Sequence, residues 1–392
     1  MVEKSNTELH KLLKKHPAAK EYEFLFDCCR ASFANTTILY PDDINAGVFY
    51  DLLQHHKLIT HLYPLLKDKC EGVSAELLQR VQQALKQNKL HLLKLSGELV
   101  RLSKLFEEKQ IPWLSIKGPA LSMQLYGDVA ARQSGDLDIL VNEADLEKAS
   151  DILVQSGYNF IYDPANFNPT QIRFWKKYYK DAFLTHPTKN ICIELHWRLI
   201  NNSRVFDQIN FFGSKNLISI ANHKIPILET NINISYLCYH AGYHSWKRLF
   251  WLWDMTKVFH GADVRQIEGL AENMHQSGLN EMLGQTVYLS RLLFGIEIPN
   301  RLKNLKISPK ITKMALHSIV DQNMSNLHQM FHDTIFHKRI LPKKNANPML
   351  AVALINPIHW KTIPLPEKLF FLYYFLRPIA VIIRRITQYK KG

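Results

Sequence analysis

At 392 residues and 46% hydrophobic content, the chain is long enough for two or three domains and for sizeable cores. Its 21% charged fraction is that of a soluble globular protein, and its five cysteines, odd in number and without a Cys-x-x-Cys pair, exclude a disulfide frame or a zinc site of that pattern. Of the formal net charge of +14, nearly all sits at the end: from Arg301 onward there are 16 Lys and Arg against 3 Asp and Glu.

The start, MVEKSNTELHKLLKKH, has no apolar stretch of the kind a secretory leader needs. With the reduced thiols this sets the expectation of a cytoplasmic protein. Residues 1–108 read as helices, with apolar residues at three-to-four spacing. The longest run carries the stripe Leu78, Val81, Leu85, Leu92, Leu95 and Leu99. We expect an N-terminal helical domain here.

Pro112 stops that run, because the residue before a proline is disfavoured in helix. Strand WLSI follows, then the Lys117-Gly118-Pro119 turn, a helix through ALSMQLYG, a loop with Arg132 and Ser134, and strand DLDILV. A helix over ADLEKASDILVQSG, a strand at YNFIYD and a hairpin of KDAFLTH with ICIELHWRLI complete the order β-α-β-α-β-β-β. That order predicts an α+β fold, a mixed sheet with helices on one side, over residues 109–217. The segment NPTQIRFWKKYY reads as an irregular polar and aromatic connection. Its Arg173, Lys176, Lys177 and Lys180 either accompany aromatics that stack a base or border an edge whose aromatics pack inward.

From Ile218 the pattern returns to helix, with NISYLCYHAGYHSWKRLFWLWDMTKVFH as its strongest run, and residues 218–392 form the expected C-terminal helical domain. Its end, Leu369–Leu376 and IAVII with Arg384, Arg385, Lys390 and Lys391, is too short and broken to span a bilayer. Two readings stand: a helix docked on the core, or a peripheral contact with a membrane surface or nucleic acid.

The chemistry concentrates on two strands. Side chains alternate along a strand, so Asp136 and Asp138 share one face while Leu137 and Ile139 share the other. Two like charges held together call for a cation. In ICIELHWRL, Glu194 and His196 share a face, and an acid inside an apolar strand is costly unless it serves something. If that strand lies beside DLDILV, Glu194 becomes a third carboxylate. The pairs His240 and His244, and His328 and His332, have helical i,i+4 spacing but lack an obvious third zinc ligand.

KGPAL…LYG…RQSGDLDILV, with ELHW and HAGYHSWKRLFWLWD, resembles the DNA polymerase β-like nucleotidyltransferase superfamily. It is similar to the toxin and abortive-infection nucleotidyltransferases, and most of all to a group of uncharacterised bacterial nucleotidyltransferases. The resemblance implies a minimal nucleotidyltransferase fold binding Mg²⁺, with Mn²⁺ as the alternative. It implies transfer of a nucleotide from an NTP, such as ATP, to an acceptor hydroxyl on RNA, protein or a small molecule. By that analogy Asp136, Asp138 and Glu194 are catalytic and hold the metal. Lys117, Gly118, Arg132 and Ser134 bind the nucleotide, and His196, His244, Arg248 and Asp254 stand behind them. Pro119 departs from the Gly or Ser of the pattern and offers no N–H. It motivates the alternative of a non-catalytic nucleotide- or RNA-binding module on the same fold.

Overall fold

The computed structural model describes residues 2–201, 205–206, 209–321, 326–341, 355 and 357–376. The first helices are α1 (Val2–Leu13), α2 (Ala19–Ala34), α3 (Ala46–His55) and α4 (Ile59–Asp68). A two-residue parallel ladder joins β1 (Ile38–Leu39) to β2 (Cys70–Glu71). Then comes α5 (Ala75–Glu108), 34 residues and about 50 Å long at 1.5 Å per residue. Ser74 caps it, accepting from the Leu77 amide. Its apolar stripe serves two cores. Leu77 and Val81 pack with the N-terminal helices, while Leu92, Leu95, Leu99, Leu102 and Phe106 pack under the sheet.

The sheet has seven strands in the order β5-β6-β7-β4-β3-β9-β8. They are β3 (Trp113–Ser115), β4 (Asp136–Val141), β5 (Asn159–Phe160), β6 (Asp181–His186), β7 (Ile191–His196), β8 (Lys215–Ile220) and β9 (His223–Leu228). β4 runs antiparallel to β3 and parallel to β7, and β6 pairs antiparallel with β7 as the expected hairpin. Between the strands lie α6 (Gly118–Tyr126), α7 (Leu146–Gln155) and α8 (Pro169–Tyr178). The face bearing Leu137, Ile139, Ile193 and Leu195 packs on α5 and α7. The opposite face carries Asp138, Glu194 and His196.

The C-terminal helices are α9 (Thr230–Tyr243), α10 (Leu249–Gly261), α11 (Val264–Gln276), α12 (Asn280–Phe294), α13 (Pro309–Val320), α14 (Asn326–Ile340) and α15 (Pro357–Thr362). The buried residues of α9–α14 join those of α1–α4 in one apolar cluster, while Trp360 of α15 packs into the core under the sheet. Tyr22 on α2, for example, donates its hydroxyl to the Val320 carbonyl at 3.0 Å.

Three details depart from the sequence reading. The segment 169–178 is a helix, α8, with a full capping box between Asn168 and Gln171. The return to helix begins only after the β8–β9 hairpin, whose turn residues Ala221 and Asn222 both have positive φ, 48° and 62°. The long run from Asn233 is broken into α9 and α10 by a turn in which Ser245 and Trp246 adopt φ of 54° and 50°.

No helix among the described residues is long and apolar enough to cross a membrane. The start of the tail is docked: Tyr373 is buried and donates to the Ile363 carbonyl at 2.8 Å. Leu369, Phe371 and Phe375 remain exposed. IAVII and the basic residues from Arg377 onward lie outside the described residues, as does the side chain of His328.

The sheet is tied to α5 by a buried carboxylate. Glu98 accepts from Arg101 at 2.6 Å, Tyr158 at 2.8 Å and Lys189, in the β6–β7 turn, at 2.9 Å. Burial disfavours its ionised form, but these bonds outweigh it and hold the pKa down at about 2. A depressed carboxylate stabilises the fold above its unfolded pKa of about 4.3 and loses that contribution as pH falls towards the folded value. We therefore expect Glu98→Gln to cost roughly 2 kcal/mol at neutral pH. Denaturant melts should show the gap to wild type closing between about pH 4.5 and pH 2, with the two meeting at the acid end.

Candidate active site

Two structural devices bring the acids together. Parallel pairing of β4 with β7 sets Asp138 opposite Glu194 and Asp136 opposite Cys192. Directly paired residues share a face, so Asp136, Asp138, Glu194 and His196 project to the same side. The second device is the β3–α6 turn. Gly118 has φ of +67°, and a Cβ there would meet the Asp136 carbonyl oxygen at 3.3 Å. Glycine thus lets the turn lie against the first residue of β4. Pro119 sits at the start of α6, where a missing N–H costs nothing.

The centre is dense with charge. Asp138 is buried, 1% exposed, and its Oδ1 lies 2.5 Å from Lys117 Nζ and 3.3 Å from His196 Nε2. His196, also fully buried, lies 3.2 Å from Glu194 Oε2 through the same nitrogen. Lys180 pairs with Asp181 and stands 3.8 Å from Glu194. Burial disfavours the Asp138 carboxylate, but Lys117 and the His196 bond hold its pKa far below the usual range. Lys117 is correspondingly raised by Asp138 against its own burial. Burial and the positive Lys180 oppose protonation of His196, yet its bonds to Asp138 and Glu194 keep its pKa above the ordinary value. Asp136, half-buried, is pushed up to about 6 by burial and by Asp138, with Lys117 acting against the rise. Ser134 Oγ donates to the Asp136 carbonyl at 3.1 Å.

Asp138, Glu194 and His196 each offer an atom, and these lie within 4.8 Å of one another. Asp138 Oδ2 is buried with no hydrogen-bond partner. A desolvated carboxylate oxygen left open beside a second acid and an imidazole fits a divalent cation, whose preferred donors are oxygens of this kind. Asp136 lies outside this group of three and stands one turn of the pleat nearer the Lys117–Gly118 turn.

The remaining candidates separate by position. Arg132 is buried, with Nε 2.7 Å from Asp254 Oδ2, and Tyr126 donates to the other oxygen at 2.7 Å. This joins the loop before β4 to α10. Burial raises the Asp254 pKa, and Arg132 and Tyr126 oppose the rise. Arg248 donates to the His55 carbonyl at the end of α3. His244 stacks on Trp251 and meets His240 edge-on at 4.7 Å, and burial, then Lys247, lowers its pKa to about 3. His332 bonds the Met314 carbonyl at 3.1 Å. On α8, Phe174 and Trp175 pack inward, while Arg173 and Lys176 reach Glu367 and Glu147 at the surface.

A cavity of about 360 Å³ opens beside Glu194. Lys117, Lys180, Trp175, Tyr236 and His240 line it, with further tyrosines from α9. Two participants were not singled out from the sequence. Tyr236 on α9 is fully buried within electrostatic reach of Lys117, Asp138 and Glu194. Lys57, in the α3–α4 turn, lies within reach of Asp136. Neither carries a local motif, and both reach the site by tertiary packing.

No curated protein matches the chain. A solved structure described as an antigenic nucleotidyltransferase-like protein from Paracoccidioides brasiliensis is similar at 11% identity, over 54% of this chain and 96% of that one, with a TM-score of 0.31. At that score the likeness carries no weight for fold or function. The family match is extensive: residues 42–295, well over half of the chain and spanning the whole sheet and α9–α12, fit the family described as "Uncharacterised nucleotidyltransferase". The chain belongs to that family of nucleotidyltransferases.

Proposed function

We propose that the protein is a metal-dependent nucleotidyltransferase, with Mg²⁺ as the preferred ion, that moves a nucleotide from an NTP to an acceptor hydroxyl. The observation that carries this is the in-register pairing of Asp138 with Glu194, with Asp138 Oδ2 buried and unpartnered beside it. The β3-α6-β4-α7 unit with β7 is consistent with a minimal nucleotidyltransferase core.

In this reading Asp138, Glu194 and His196 hold the cation, and Asp136 completes the acid set toward the phosphates. Bound there, the ion supplies charge neutralisation for the triphosphate and acidifies the attacking hydroxyl. The acceptor oxygen forms a bond to the α-phosphorus, the bond to the pyrophosphate oxygen breaks, and the hydroxyl proton passes to Glu194 Oε2. Lys117, with the Gly118 turn, faces the phosphates. Arg132 is engaged with Asp254 and serves to fix the loop that delivers Ser134 and Asp136. The aromatic cavity beside Glu194 suits a ring-bearing substrate group.

Incubation of the protein with each α-labelled NTP, Mg²⁺ and cell extract is expected to place label on one fraction of the extract and to release pyrophosphate. NTP binding without label transfer or pyrophosphate release from any of the four would replace this reading with the non-catalytic binding module.

A further inference from the structure

The α3–α4 turn places a lysine where helices usually end in glycine. α3 stops at His55, and Lys57 adopts φ of +55°, while the Leu58 amide returns to the Leu53 carbonyl at 2.9 Å. This is the left-handed position after a helix C-terminus, which glycine occupies without steric cost and a lysine does not. A cost of that kind persists where surrounding contacts over-determine the conformation. The contacts are present. The Phe250 amide donates to the His56 carbonyl at 3.2 Å, and Arg248 donates to the His55 carbonyl, so the turn is clamped to the start of α10. The clamp holds Lys57, carried by the N-terminal helices, within electrostatic reach of Asp136.

Its ammonium lies 5.1 Å from the centre of the Phe250 ring, and the Arg132 guanidinium lies 4.9 Å from the same ring. The charged groups that face it are Arg132, Asp136, Arg248 and Lys117. The other cations around the acids are matched, Lys117 by Asp138, Lys180 by Asp181 and Arg132 by Asp254. Lys57 has no carboxylate within 4.0 Å among the described residues, although it is half-buried. A half-buried cation beside two others, held in a strained backbone and lacking its own counter-ion, fits an anion brought in from outside.

We propose that Lys57 is a substrate-binding residue that holds the triphosphate of the NTP beside Asp136, so that the N-terminal helices complete the phosphate seat. This rests on the nucleotidyltransferase reading. It assigns to a lysine side chain part of the grip that Pro119, lacking an N–H, does not provide.

Inorganic tripolyphosphate with Mg²⁺, which has no base, and MgATP are the probes, titrated calorimetrically into the full chain. Lys57→Gln is expected to weaken tripolyphosphate binding about tenfold or more, with a shallower salt dependence, and Lys57→Arg to stay within a few fold of wild type. Lys57→Gly separates function from folding. It relieves the backbone, so its Tm should equal or exceed that of wild type while its tripolyphosphate affinity falls as in Lys57→Gln. Unchanged affinity in Lys57→Gln or Lys57→Gly overturns the assignment. A wild type that binds neither probe overturns the nucleotidyltransferase reading itself, and Lys57 with it.

Discussion

Asp138→Asn is expected to lower nucleotide transfer by roughly 10²–10³-fold or more, the scale seen when one preorganised electrostatic contact is lost from an active centre. The substitution keeps the shape of the side chain and its bond to His196 but removes the charge that Lys117 and the proposed cation both use. The effect on folding should be small by comparison. Lys117 also lies within reach of Glu194 and Asp136 and so keeps counter-charge. Transfer of labelled NTP, read beside a thermal melt, distinguishes the two effects. Retained transfer in a folded Asp138→Asn protein would remove Asp138 from the chemistry.

The largest effect on stability is expected at the Arg132–Asp254 pair. Both side chains are almost fully buried, and their attraction offsets a desolvation cost of several kcal/mol per ion. Arg132→Leu leaves Asp254 with Tyr126 as its sole remaining partner of the two and should cost about 3–5 kcal/mol near neutral pH. The pH dependence follows from the aspartate. Burial already raises its pKa, and without the arginine it rises further. A raised carboxyl contributes stability while protonated, at acid pH, and loses it as pH rises through the folded value. Denaturant melts of the variant should thus improve on acidification from neutrality towards about pH 4, while the single change Asp254→Leu leaves the guanidinium buried alone. The double variant Arg132→Leu with Asp254→Leu should recover most of the loss, because neither charge is then stranded. Additive losses in the double variant would mean that the pair is not the unit of stability here.

The clustering of the acids with His196 was legible because it obeys strand periodicity. Asp136, Asp138, Glu194 and His196 each declare a face, and parallel pairing of two buried strands does the rest. The turn at Gly118 was legible for a similar reason, since a glycine against a strand end marks close backbone approach. The β8–β9 hairpin was not. Its turn uses Ala221 and Asn222 at positive φ, where Asn-Gly or Asp-Gly is the usual marker. The α8 helix hid behind Asn168-Pro169, a cap and first-turn proline that also read as a loop. The Arg132–Asp254 pair and the approach of Lys57 to Asp136 join residues far apart in the chain, and neither has a local signature. The helical regions on either side of the sheet region were legible from their spacing, but their shared core was not, because apolar stripes do not name their partners.

On the proposed reading, β4 and β7 together build one cation site. Titration of Mn²⁺, followed by its paramagnetic resonance signal, tests it directly in wild type and in Glu194→Gln. We expect wild type to take up the ion and Glu194→Gln to bind it at least about tenfold more weakly, with both proteins melting at similar temperatures. Equal Mn²⁺ affinity in the two would contradict the account, because Glu194 would then be no part of the site that Asp138 is proposed to anchor.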